Sequence, residues 1–588
     1  MKILKNIITV LLLAAILAPS LVSCNPMVPP IPETSDGPES SEEQSVSDTL
    51  APVETPEPDP GESGVIGDAT IPEEPKKEKP ENPEKTLFQK SKEQYSSGNI
   101  GCKSLILPAE YNDGVDFDIQ GYKDSDNKIF YIFLPCRADL SSVTFTVTHR
   151  NGSVSGPYTA DFSDDEVSEN EKTIGSVSVY AIKVMKSDRP TVMLQIDEQY
   201  GTIDDMLHDG SHTTYSYGAM VTTVTDEMAS EMGWATRYES RDEDESKYCS
   251  MDIRGRGNAT WGYPKKPFQI RTENTINLLG MEYSSKYVLV ANYRDATSMR
   301  NQLALEMGHM LGVDYTSDCR QVDLFMNGKY LGLYMIAEKV EAGAGRVEID
   351  MTEDVLFEAD NYATDVPTFG FQTDYTHANK RGFRIHSPED ENYVARDKAR
   401  LIAAETALFG GNEEAFKRYF DLESWAKAYL LQTYTMNSDA LYGSFYFYYD
   451  SEDGKLHACS PWDFDWSMGI SWGGSSYKDP MRYDITSREW FKPMFRYKSF
   501  VLAILDVYYN GGGREVIKEM PFVIDRLAEE NRLSSIMNGA ALDVDYQIDG
   551  ITNYDEAVAY LRDIAVKRIE YMENQMSDWA TVYKFERG

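Results

Sequence analysis

The sequence predicts an α+β protein in which a small all-β unit precedes a larger region of strands and helices, behind a disordered stalk. Three observations predict it. Short β-branched and aromatic runs crowd residues 97–187, an Asn327-Gly328 pair sits between two apolar runs, and helix-period segments fill much of the chain after 421.

The elements follow in order. Lys2 and Lys5 open the chain, and Ile7 to Leu17 form an apolar core too short for a comfortable membrane span. Leu21-Val22-Ser23-Cys24 resembles the lipobox of bacterial lipoproteins. That resemblance implies a signal peptide over 1–23, lipidation of Cys24, and anchoring at the extracellular face of a bacterial membrane. Several acyl chains, at about 0.8 kcal/mol per buried methylene, make such attachment lasting. Residues 24–96 then read as a tether. Between Pro26 and Pro83 lie 13 of the 26 prolines, and sixteen acidic residues fall between Glu33 and Glu84. Too little apolar surface is present to offset ordering entropy, so this stalk is expected to stay disordered and extended.

A net charge of -39 argues against nucleic-acid binding, which needs basic surface. The cysteines after Cys24 match no zinc spacing. Export permits a Cys102–Cys136 bridge, but their number is odd and no bridge is expected. His208 and His212 lie in a Gly/Ser/Thr-rich stretch that reads as a surface loop.

Residues 97–187 carry strand-like runs at Ile129–Leu134, Val143–Thr148 and Val177–Val184, predicting a β-sandwich-like spacer without a charged constellation. From 188 the chain turns informative. Arg254 and Arg256 interleave with glycines, and Lys265 and Lys266 precede a strand at Phe268; this suits phosphate binding or an exposed hairpin. A strand at Val288 leads to a helix over Met299–Leu311, capped by Thr297 or Ser298, with Leu303, Met307, Met310 and Leu311 on one face. The Val322–Glu338 segment reads as a hairpin about Asn327-Gly328.

Further on, a helix from Asp421 ends at Asn437-Ser438-Asp439, and a hairpin returns the chain to Pro461-Trp462-Asp463-Phe464-Asp465. An acid at a helix end and a second at a strand end match the needs of phosphoryl transfer: one orients the attacking hydroxyl, the other holds magnesium. A helix cap and a turn residue would look the same from spacing alone.

Arg254-Gly-Arg-Gly-Asn258 with Lys265-Lys-Pro267, the Arg300-Asn301 helix, the Asn327–Tyr334 hairpin with Glu338, Asn437-Ser-Asp439 and Pro461–Asp465 resemble, in order, the CotH family of secreted, spore-coat-protein-H-type kinases. The resemblance implies an atypical protein-kinase-like, two-lobed domain over 188–588 using ATP and Mg2+. It implies Asp439 as catalytic residue and Asp463, with Asp465, as metal ligands. Trp462 and Tyr334 are similar to aromatics that sandwich adenine, Arg254, Arg256 and Lys266 to phosphate contacts, and Glu306 to the acid that pairs with a basic residue. Where kinases carry a metal-binding Asn, this chain has Ser444. The expected substrate is an exported or surface protein; a glycan or small-molecule acceptor, or a non-catalytic surface protein keeping the fold, are the alternatives. The C-terminal segments Ser499–Tyr509, Arg514–Glu530 and Asn553–Met576 read as helices, with Arg562, Lys567 and Arg568 on solvated faces.

Overall fold

Among the described residues the chain opens with β1 (Cys102–Leu107), β2 (Ile119–Gln120), β3 (Tyr122–Asp124), β4 (Ile129–Leu134), β5 (Val143–His149), β6 (Val154–Ala160) and β7 (Ala181–Lys186). The structure is a computed structural model that describes residues 102–587 apart from 128, 164–180, 235–247, 376–381, 472–477, 543–547 and 549. Cys24, the stalk and the first part of the run at Val177 lie outside the described residues. The predicted runs at Ile129 and Val143 are β4 and β5. The strands form two sheets, β2-β1-β5-β6 and β3-β4-β7. Leu105, Phe145 and Val147 of the first and Phe130, Ile132 and Val184 of the second bury one core. That core is completed from outside, by Phe325, Tyr330, Met537 and Ala541. Phe133 and Tyr330 have ring centroids 4.6 Å apart. The expected spacer thus shares an apolar interior with later parts of the chain.

Next come β8 (Thr191–Ile196), β9 (Ser216–Thr223), β10 (Cys249–Gly255), β11 (Phe268–Ile276), β12 (Ser284–Val290), β13 (Cys319–Met326) and β14 (Lys329–Glu338). They close into a barrel in the order β10-β11-β12-β14-β13-β8-β9. Alternation sends Ile253, Ile270, Leu289, Leu324 and Ile336 inward to one core. The predicted hairpin turn is present, with φ of 45° at Asn327 and 75° at Gly328. A side chain at Gly328 would strike the Asp118 carbonyl oxygen at 2.3 Å, because β2 docks on this turn. The closing pair β8–β13 is parallel, with Thr191 opposite Asp323. Asp323 is fully buried and accepts hydrogen bonds from Ser187 Oγ, Tyr330 Oη and Ser534 Oγ, each at 2.6 Å. Burial pushes its carboxyl above the usual range while the three hydroxyls pull it back.

Beyond the barrel, β15 (Val355–Asp360), β16 (Gly370–Phe371), β17 (Gly382–Ser387), β18 (Phe445–Asp450) and β19 (Lys455–Cys459) form a sheet in the order β16-β17-β15-β18-β19. Helices Val394–Phe409, Leu422–Tyr434, Lys498–Tyr509, Gly513–Ala541 and Tyr554–Tyr583 accompany it. Trp425, Tyr429, Phe447, Trp490, Phe500 and Met576 lie in their common core. Helices and mostly antiparallel sheets in separate layers make the chain α+β.

Some expectations hold and others are corrected. Arg568 is fully buried rather than solvated, since it falls on the same face as Leu561, Ala565 and Met572. Its guanidinium donates to the carbonyl oxygens of Thr433 and Pro480 at 2.6 Å and of Tyr483 at 3.1 Å. Arg562 and Lys567 are half-exposed and paired with Asp525 and Asp563. Met310 is 43% exposed, off the buried face of its helix. His208 ends a short helix, Ile203–His208, which Thr202 caps. All five cysteines after Cys24 are free thiols. No helix among the described residues is long and apolar enough to cross a membrane.

Candidate active site

Two segments meet at the acids. Asp421 caps the Leu422–Tyr434 helix by accepting the Ser424 N–H at 2.8 Å, and the helix delivers Asn437 and Asp439 just past its end. The β18–β19 hairpin then returns the chain to Asp463. Asn437 joins the two: its Oδ1 accepts the Asp439 N–H at 2.9 Å, and its Nδ2 donates to the Asp463 carbonyl at 3.4 Å. Ser438 binds the Trp466 carbonyl through both its N–H, at 3.0 Å, and its hydroxyl, at 2.8 Å. The Ser444 hydroxyl donates to Asp463 Oδ2 at 3.3 Å.

A third element fixes the second acid pair. Asn301, near the start of the Arg300–Leu311 helix, donates its amide to Asp465 and accepts the Phe464 N–H at 2.8 Å. Phe464 itself is buried in the helical core. The neighbouring Arg300 donates to the carbonyls of Ser467 and Met468, both at 3.1 Å. The predicted cap of this helix is corrected: neither Thr297 nor Ser298 supplies it, and Asp295 Oδ2 accepts the Arg300 N–H at 2.9 Å.

Backbone strain gathers here. Met436, Leu441, Ser444, Ser460, Asp463 and Met468 have φ between 44° and 63°, a left-handed conformation that non-glycine residues hold only when surroundings dictate it.

Electrostatics single out the same point. Burial, then the charges of Asp465 and Asp439, push the Asp463 carboxyl above its ordinary range; Arg256 and Ser444 oppose them. Asp465 is raised likewise, by burial and by Asp295 and Asp439, against Asn301 and Arg256. Crowded carboxylates that resist ionising are stabilised by a cation. The donors present are carboxylate oxygens and a hydroxyl, hard ligands that fit magnesium. Asp463, Asp465 and Ser444 would hold it. A tighter set, Asp450, Asp453 and His457, has ligand atoms within 4.8 Å of one another at the β18–β19 turn. Asp453 there already accepts the Lys455 N–H at 2.9 Å and faces His457 Nε2 at 3.2 Å, as a turn residue does.

The predicted cofactor contacts divide. Arg256 lies 5.7 Å from the Trp462 ring centroid, and its charge is felt by both Asp463 and Asp465. Arg254 is turned away, its guanidinium given to Tyr215 Oη, the His212 carbonyl and Gln269 Oε1. Lys266 Nζ donates to the Trp261 carbonyl, over that residue's ring. Tyr334 is not opposite Trp462. Alternation on β14 places Tyr334 inside the barrel, where its hydroxyl donates to the Lys266 carbonyl at 2.8 Å. Trp462 packs outside, against Met335 and Ala337 and beside Tyr446. Glu306 does pair with a basic residue, but with Arg526 of the Gly513–Ala541 helix. Five residues on from Asn301, it is turned by roughly 140° around the helix, away from the acids.

Sequence reasoning did not single out Asn301, Asn437, Arg300 or Tyr446 as site residues. Asn437 stands two residues before an acid and Arg300-Asn301 belong to a motif that carries the resemblance, both visible signals; Tyr446 needed the fold.

A family model described as CotH kinase protein matches residues 253–572, over half of the chain and all of the acids above. No curated protein matches the chain.

Proposed function

The chain belongs to the CotH kinase family, and from that premise we propose that it transfers the ATP γ-phosphate to Ser or Thr hydroxyls of an exported or surface protein. Asp439 accepts or orients the attacking hydroxyl. Asp463 and Asp465, with Ser444, hold the metal, and Arg256 beside Trp462 faces the phosphates. Magnesium, when bound, would neutralise charge on the phosphate oxygens. Trp462 and Tyr446 offer the base an aromatic wall in place of the Trp462–Tyr334 pair. The barrel on one side of the acids and the helical layer on the other support a two-lobed, kinase-like arrangement. The observation that carries the reading is Asn437, whose one amide holds the Asp439 and Asp463 segments together. The resemblance of Leu21–Cys24 to a lipobox supports anchoring at the extracellular face of a bacterial membrane, so that substrate must be displayed within reach.

The test uses purified protein, labelled ATP, magnesium and a surface extract. Wild type labels itself or the extract, and Asp439→Asn and Asp463→Asn each lower labelling about a hundredfold or more. Equal labelling by wild type and variants, or none by wild type, would remove the kinase reading. Ser444 in place of an amide favours one second reading, a non-catalytic surface or spore-coat-type protein. Magnesium-independent ATP binding without transfer would support it.

A further inference from the structure

The segment 479–490, which follows the acids in the chain, lies against the loop that carries Asp439. The Tyr554–Tyr583 helix holds it from beneath. Arg568 donates to the carbonyls of Pro480 and Tyr483, and Tyr571 Oη donates to Asp484 Oδ2 at 2.7 Å. Ile485 and Trp490 sink into the helical core.

From this base two side chains reach the loop. The Tyr483 hydroxyl donates to the Asn437 carbonyl, and Arg488 Nη2 donates to the Ser438 carbonyl at 2.9 Å. All four residues are buried, where a backbone carbonyl needs a donor. The Arg488 guanidinium also lies 4.4 Å from the Tyr442 ring centroid, so it grips the loop on both sides of Asp439. The loop itself takes the other peptide groups: the Asp439 N–H goes to Asn437 Oδ1, and the Asp439 carbonyl accepts the Tyr442 N–H at 2.7 Å. The backbone is strained before and after the acid, with φ of 55° at Met436 and 60° at Leu441. Such a backbone keeps its shape only under contacts from outside. Tyr483 and Arg488 supply the side-chain donors at the two carbonyls that precede Asp439.

We propose that Arg488 and Tyr483 are positioning residues for Asp439, aiming its carboxylate at the attacking hydroxyl by fixing those two carbonyls; this rests on the kinase reading above. The metal and nucleotide groups have supports of their own. Asn301 holds Asp465, and Trp462 packs on the barrel beside Arg256. Loss of the clamp therefore acts on the chemical step and spares the binding of ATP.

The test uses the full chain with labelled ATP, magnesium and a surface extract, reading the labelling rate at saturating ATP, the KM for ATP, and ATP binding by calorimetry. Arg488→Met keeps the length of the side chain and loses the donor; it is expected to lower the rate about a hundredfold, the effect of misplacing a reacting group by about 1 Å. Tyr483→Phe lowers it about tenfold, the worth of one hydrogen bond. In both, KM and ATP binding stay within about twofold of wild type. Arg488→Lys returns one donor and recovers about tenfold of the loss. Tyr571→Phe loosens the same segment without touching either carbonyl, so it lowers the unfolding temperature and leaves the rate unchanged. Should Arg488→Met not fold, Tyr483→Phe, which loses a single hydroxyl, decides alone. With an active wild type, an undiminished rate in Tyr483→Phe and Arg488→Met, an equal fall in Tyr571→Phe, or a loss confined to KM overturns the proposal. A wild type that labels nothing removes the kinase reading, and this one with it.

Discussion

Arg300 and Asp295 form an ion pair in which each side chain is only 2% exposed. Arg300 also holds the Ser467 and Met468 carbonyls, so one residue fixes the loop that comes after Asp465. Removing one partner of a buried pair leaves an uncompensated charge. Arg300→Met is expected to cost about 3–5 kcal/mol in urea unfolding. A loss below about 1 kcal/mol would contradict the clamp.

Ser444 holds φ of 53°, a conformation that Asn tolerates better than Ser. Ser444→Asn should therefore keep or raise the melting temperature while adding an amide oxygen beside Asp463. On the kinase reading, the magnesium concentration for half-maximal labelling falls several-fold. Ser444→Ala, which loses the hydrogen bond to Asp463 Oδ2, moves it upward.

Trp462 and Tyr334 are expected to part company. On the kinase reading, Trp462→Ala raises the KM for ATP, because the residue lies beside Arg256 at the acids. Tyr334→Phe leaves that KM unchanged and costs about 1 kcal/mol of stability, the hydroxyl's bond to the Lys266 carbonyl being lost. Steady-state kinetics with urea unfolding separates the two. A large KM change in Tyr334→Phe would restore the adenine-sandwich expectation.

Glu405 is fully buried, accepts the Trp490 indole N–H at 2.8 Å, and has its carboxyl pushed up to about 7 by burial. With a folded pKa above the unfolded one, the native state binds more protons between about pH 4.5 and 7. The contribution is fully present below the unfolded value and is lost as pH rises through the folded one. Glu405→Gln, which can still accept from Trp490, should stabilise the protein at pH 8 by about 2–3 kcal/mol and have little effect near pH 4.5. Urea unfolding at the two values checks this, and equal effects at both would refute it.

Local signals carried far. The Asn327-Gly328 turn, the Asp421 cap and the runs of β4, β5 and β18 are short-range features, and the structure has them where the residues indicate. Asp439 and Asp463 were legible as a pair because a single hairpin separates them. What failed needed non-local information. The inward face of Tyr334 depends on barrel closure, the burial of Arg568 on carbonyls offered by two distant segments, and the partner of Glu306 on a helix more than two hundred residues away. Periodicity assigns Tyr334 and Arg568 to a face of their elements, but not what covers that face.

The barrel's closing seam has a kinetic consequence. Ile196 at the end of β8 gives its N–H to the side chain of Asn327, 131 residues further along. β9 covers one edge of the first strand of the ring, but its other edge has no partner until β13 and its turn have formed. Such long-range closure carries a large loop entropy before any contact rewards it, and slows folding. Until then β8 presents an open edge, so a chain emerging from the N-terminus needs protection from mispairing for longest at that strand.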